Sequence, residues 1–160
     1  MSRSAVDDEL LGFYELLLRD NEPEVRSEAV ANVPVMSSHC TTQVLIERIL
    51  PIIKEQIAND PSQHVKGSMA QAVCDLGEVL SKEEVIQYVL PPVMAILKDS
   101  ATEVRISLLK NIKKLTSALS EEEIKEHILP EIVKLAKDNT WRVRLAAIQF
   151  CPSIPTFVSR

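Results

Sequence analysis

The chain has 160 residues, 46% of them apolar, with a formal net charge of −5 and only three glycines. Average usage of roughly 7% would supply about eleven glycines, and sheets and phosphate-cradling loops need them at their turns, so all-β and Rossmann-type folds lose ground. The acidic balance argues against a dedicated nucleic-acid binder, and no apolar run reaches the roughly 18 residues of a membrane span.

The opening segment, residues 1–10, is acidic where a signal peptide is basic and then apolar. Three cysteines without a pairing spacing fit a reducing compartment. A helical stretch follows, with Ser4-Ala5-Val6-Asp7 as a weak capping box, and ends at Asp20. There a pattern begins that recurs four times: Asp, four residues, Val, Arg or Lys. It occurs at Asp20…Val25-Arg26, Asp60…Val65-Lys66, Asp99…Val104-Arg105 and Asp138…Val143-Arg144, with Asp-to-Asp spacings of 40, 39 and 39. A second marker shares the period upstream, at Ile49-Leu50-Pro51, Val89-Leu90-Pro91 and Ile128-Leu129-Pro130.

The segment before each Asp has helical periodicity, as in Ile86, Val89, Leu90, Val93, Ile96 and Leu97, or Ile124, Ile128, Leu129, Ile132, Val133 and Leu135. Ser81 with Glu84 and Ser120 with Glu123 have the spacing of capping boxes that open two of these helices. The proline inside each either kinks the helix or divides it into two pieces. After each Val a second helix is expected. Its stripe is Val25, Ala29, Val33, Met36, Cys40 in the first unit and Val65, Met69, Val73, Leu76, Leu80 in the second. The third gives Val104, Leu108, Ile112, Leu115, Leu119, and the fourth Val143, Ala147, Cys151, Ile154, Val158. One such hairpin cannot bury its stripe alone, but four stacked hairpins share a continuous core. The expected fold is an all-α solenoid: one array over 1–160, with units at about 4–40, 41–80, 81–119 and 120–160. Neither end carries a polar capping unit, so the array reads as part of a longer solenoid or as one whose ends are covered by partners. Val143, Ala147, Ile148 and Ile154 are expected to lie bare and to promote self-association.

A forty-residue helical hairpin with Pro in its first helix and this Asp-Val-Arg turn resembles a HEAT repeat. Residues 129–138 followed by Trp141-Arg142-Val143-Arg144-Leu145-Ala146 are similar to a later repeat of the scaffolding A subunits of protein phosphatase 2A. Pro51-Ile52-Ile53-Lys54-Glu55 with Gln63-His64-Val65-Lys66 resembles an earlier one, and Leu97-Lys98-Asp99 with Glu103-Val104-Arg105 the repeat between. The resemblance spans the chain, with four repeats from the middle to the later part of that 65 kDa regulatory subunit. It implies a non-catalytic scaffold of the cytoplasm and nucleus. The turns of such a scaffold hold regulatory B-type subunits and a phosphatase catalytic subunit.

Each candidate site has a plainer alternative. Asp20, Asp60, Asp99 and Asp138 with Arg26, Lys66, Arg105 and Arg144 are expected to form a structural ladder of turns, each cation reaching the Asp of an adjacent unit. Rungs spaced by roughly one helix diameter, about 10 Å, do not converge as paired catalytic carboxylates must. Trp141, the only Trp, sits in a turn where the other units carry Pro23, Gln63 and Thr102. Beside Arg142 it has the composition of an interface anchor, or else packs over the neighbouring turn. The second helices carry net charges of −1, −1, +3 and +3, leaving −9 for the rest of the chain. Lys110, Lys113 and Lys114 in this excess either meet an acidic partner surface or are a solvated face. Cys40 and Cys151 fall on the apolar stripe and are expected to be buried; Cys74 lies one step off it. No Cys/His spacing fits a metal, no Gly loop a phosphate and no triad order an enzyme, so neither cofactor nor catalysis is expected. A HEAT-repeat nuclear-transport receptor is the alternative function, set back by the basic lean of helices that in such receptors tend to be acidic.

Overall fold

The computed structural model describes the backbone of residues 3–153, and within it the side chains of 8–152. Among the described residues eight α-helices follow one another: α1 (Arg3–Leu18), α2 (Pro23–Ala31, continued by Val33–Ser37), α3 (42–59), α4 (Gln63–Asp75), α5 (82–97), α6 (Thr102–Thr116), α7 (121–135) and α8 (Trp141–Phe150). No strand occurs among the described residues. They pair as hairpins that stack, with α2, α4, α6 and α8 packed successively in one layer and the odd-numbered helices in the other.

The second-helix stripe is the spine of the core. Val65, Met69, Val73 and Leu76 are wholly buried, as are Val104, Leu108, Ile112 and Leu115, because each lies between two hairpins. The end hairpins have one neighbour and bury less: Val25 and Met36 are half-buried. Cys40 and Cys151 are likewise half-buried rather than buried, whereas Cys74 is fully enclosed. Val133, assigned to the apolar face of α7, is 49% exposed. Val143 and Ala147, expected bare, are wholly buried, while Ile148 is bare as expected and is joined on α8 by Trp141 and Leu145. Ile154 and Val158 lie outside the described residues.

The prolines do not divide α3, α5 and α7 into separate helices. Each is preceded by one widened turn, at Leu45–Ile49, Val85–Val89 and Ile124–Ile128. The N–H just before the proline donates five residues back, Leu50 to Leu45, Leu90 to Val85 and Leu129 to Ile124. Proline lacks an N–H, and its ring strikes the carbonyl four residues earlier; a π turn gives that carbonyl room. α1, without a proline, has no such turn.

The caps at Ser81 and Ser120 are complete: each side chain accepts from the N–H three residues on, and Glu84 and Glu123 return the bond. Thr41 caps α3 by accepting from Val44 N–H. Ser4 falls inside α1 rather than at its cap. After α4 the chain passes so close to α6 that a β-carbon on Gly77 would sit 3.0 Å from Leu115 Cα. An alanine there would push the two hairpins apart.

Candidate functional site

The four turns between paired helices share one geometry. The Asp carboxylate accepts the N–H two residues on, at 2.8 Å, for Asp20 to Glu22, Asp60 to Ser62, Asp99 to Ala101 and Asp138 to Thr140. This asparagine-type turn aligns the chain for the next helix and satisfies one of its otherwise unpaired donors. Arg26 Nη1 then donates to the carbonyls of Asp20 (2.7 Å) and Asn21 (3.0 Å). Arg105 makes the same pair of bonds to Asp99 and Ser100, and Arg144 to Asp138 and Asn139.

The remaining nitrogens reach the next hairpin. Arg26 holds Asp60 with two bonds of 2.7 and 3.0 Å, both side chains almost wholly buried. Lys66 holds Asp99 at 2.9 Å, and Arg105 reaches Asp138 at 3.3 Å. The third rung is weaker than the first, since Arg105 Nε is buried without a partner. Arg144, at the end of the row, bonds its own turn and meets no carboxylate among the described residues. A planar guanidinium serves both tasks at once, whereas the Lys66 ammonium is a single point of charge.

The basic cluster is split by the fold. Lys114 pairs with Asp75 of the preceding hairpin, and that bond raises the Lys114 pKa and holds it charged. Arg142 grips both oxygens of Glu103 across α6 and α8. For both pairs the sequence holds one signal, opposite charge 39 residues apart, which is one repeat period. Lys110 and Lys113 remain exposed, with no acid paired to them among the described residues. They flank a shallow groove of about 250 Å³ floored by Leu109, Ala146 and Phe150. Cation on the rim and apolar floor suit an acidic segment with an apolar side chain.

Trp141 opens α8 and is 63% exposed, so it does not pack into the neighbouring turn. It stands beside the Arg142–Glu103 pair, about two residues from Val143 at the core. Elsewhere in the second-helix layer, Ser27 Oγ lies 3.1 Å from His64 Nε2 and 2.7 Å from Ser68 Oγ, a polar seam joining α2 to α4. Among the described residues no cluster of three His, Cys, Asp or Glu could hold a metal, and no helix is long and apolar enough to cross a membrane.

The sequence pattern of the PPP2R1A-like HEAT repeat matches residues 4–80 and 82–153. The beta isoform of the human 65 kDa regulatory A subunit of serine/threonine-protein phosphatase 2A is 34% identical over 100 residues, which is 60% of this chain and 16% of that protein. The mouse protein of the same name is 43% identical over 60 residues, 38% of this chain and 10% of its own length. The chain thus spans about a sixth of the human relative's length. The crystal structure of Cex1p superposes with a TM-score of 0.75 at 15% identity, over 91% of this chain and 28% of that one, a likeness of fold alone.

Proposed function

This chain belongs to the PPP2R1A-like HEAT-repeat family, and from that membership we propose that it is a non-catalytic scaffold of a phosphatase 2A assembly. In this reading its turn ridge and second-helix layer hold a B-type regulatory subunit together with a phosphatase catalytic subunit in the cytoplasm and nucleus. The observation that carries the proposal is Trp141, a large aromatic 63% exposed at the head of α8, beside a charge pair. An indole bare to water at a turn contributes nothing to the core and has the properties of an interface anchor.

The experiment is a titration of the chain against purified phosphatase 2A catalytic subunit. Trp141→Ala is expected to weaken binding by about 2–4 kcal/mol, roughly 30- to 1,000-fold, with the melting temperature unchanged. Lys110→Glu with Lys113→Glu is expected to slow association and flatten its salt dependence. Normal binding by Trp141→Ala, or its unfolding, would remove this turn from the partner surface. Affinity capture that returned a small GTPase and basic cargo, without phosphatase subunits, would favour the transport-receptor alternative.

A further inference from the structure

Two cations of α6 stand between two unlike grooves. Lys110 and Lys113 are both exposed and, three residues apart, share one ridge of the helix. On the α4 side of that ridge the seam opens into a polar groove of about 460 Å³, lined by Gln63, Ser68 and Gln71 of α4 and by Ser107 of α6. Ser107 Oγ donates to the Gly67 carbonyl at 2.9 Å, so its oxygen is left to accept. The Gln63 and Gln71 amides are exposed and can donate or accept. The carboxylate at the edge of this groove, Glu103, is already held by Arg142. The groove therefore suits a neutral hydrogen-bonding side chain. On the α8 side the same ridge borders the apolar groove of Leu109, Ala146 and Phe150.

Neither groove is an outward face of the stack. One lies between α4 and α6 and the other between α6 and α8, so described helices flank Lys110 and Lys113 on both sides. The α4–α6 groove is open with a hairpin stacked beyond each of its walls, so stacking does not close a groove of this kind.

The two grooves lie on opposite flanks of one helix, about 10 Å across. An extended chain advances about 3.3 Å per residue and sends alternate side chains to one face, so positions i and i+4 span about 13 Å with i+2 midway. We propose that the α6 ridge takes an extended acidic segment laid across it. Alternate side chains of that segment place a primary amide in the α4–α6 groove, a carboxylate against Lys110 and Lys113, and an aliphatic group in the α6–α8 groove. The inference names the kind of segment that the second-helix layer takes, and it rests on the scaffold reading only for there being a partner that carries it.

Fluorescence anisotropy of the 160-residue chain with labelled synthetic peptides tests this. Peptides containing Asn-x-Asp-x-Leu and Leu-x-Asp-x-Asn, with serine and glycine elsewhere, cover both chain directions. The tighter of the two is expected to bind at low salt with a Kd of about 100 μM. Moving its Leu one position nearer the Asp turns that side chain to the opposite face and is expected to cost roughly tenfold, as much as Leu→Ala in the peptide. Lys110→Glu with Lys113→Glu, both at exposed positions, is expected to weaken binding at least about tenfold, and a peptide with Lys in place of Asp to restore it. Circular dichroism checks that the double variant is folded, and the peptide series decides the matter if it is not. No binding at about 1 mM peptide overturns the proposal. So does equal binding by the shifted-Leu peptide, the signature of a helical occupant, which keeps i+3 beside i, or of charge attraction alone. Failure of the lysine peptide to rescue a folded double variant overturns it as well. The peptides test the ridge by itself: their failure removes this inference and not the scaffold, which the titration against the catalytic subunit decides.

Discussion

Among single residues, the three thiols differ by how many hairpins enclose them. Cys74, between two neighbours, is pushed up to about 12, first by burial and then by the charge of Asp75. Cys40 is raised by burial as well, yet it is half-buried and within reach of solvent, as is Cys151. A thiol reagent at neutral pH is therefore expected to label Cys40 and Cys151 in the folded chain and Cys74 only in denaturant; equal rates at all three would contradict the burial pattern. The ladder cations differ for the same reason. Arg26→Ala strands a buried Asp60 carboxylate and should cost about 3–5 kcal/mol. Arg144→Ala strands no acid among the described residues, and urea unfolding is expected to show a clearly smaller loss.

At the level of the helix, two devices recur because the same problem recurs. In each of α3, α5 and α7 one π turn precedes the first proline, and the first helices of the third and fourth hairpins open on a complete capping box. Ser120→Ala removes one half of such a box and should cost about 1 kcal/mol. Glu123 supplies the other half, and the backbone hydrogen bond from Ser120 lowers its pKa, with Lys82 contributing less. A lowered carboxylate stabilises the fold above its unfolded pKa, roughly 4.3, and the contribution is lost as pH falls through the lower folded value. Melting temperature should fall with acid in that window, and Glu123→Gln should flatten the fall. An unchanged slope would mean that the box adds nothing in its ionised form.

For the molecule as a whole, stability in a stacked array is a sum over neighbours rather than the property of one closed core. The second and third hairpins each have two neighbours, and their spine residues are wholly enclosed. The first and fourth have one. Hydrogen exchange should accordingly be slowest in α4 and α6 and faster in α1 and α8, opening from the ends inward. Uniform protection across all eight helices would instead indicate an all-or-none unit.

The period of 39 to 40 residues, the helical hairpins and the spine of the second and third hairpins were legible in the chain alone. A hairpin buries its stripe only if every copy keeps the same spacing, and that constraint is written in Val65, Val104 and Val143 alike. The caps at Ser81 and Ser120 were legible too, because they are contacts between residues three apart. What lies across the seam between hairpins was not. That Arg142 is spent on Glu103 and Lys114 on Asp75, while Lys110 and Lys113 meet no acid among the described residues, depends on how one helix is set against the next. The same holds for the enclosure of Cys74, the exposure of Val133 and Leu145, and the burial of Val143 and Ala147, whereas the exposure of Trp141 and Ile148 was expected from the sequence. Periodicity identifies the face of a helix that turns inward, but the tertiary stack decides which of the flanking faces a neighbour covers.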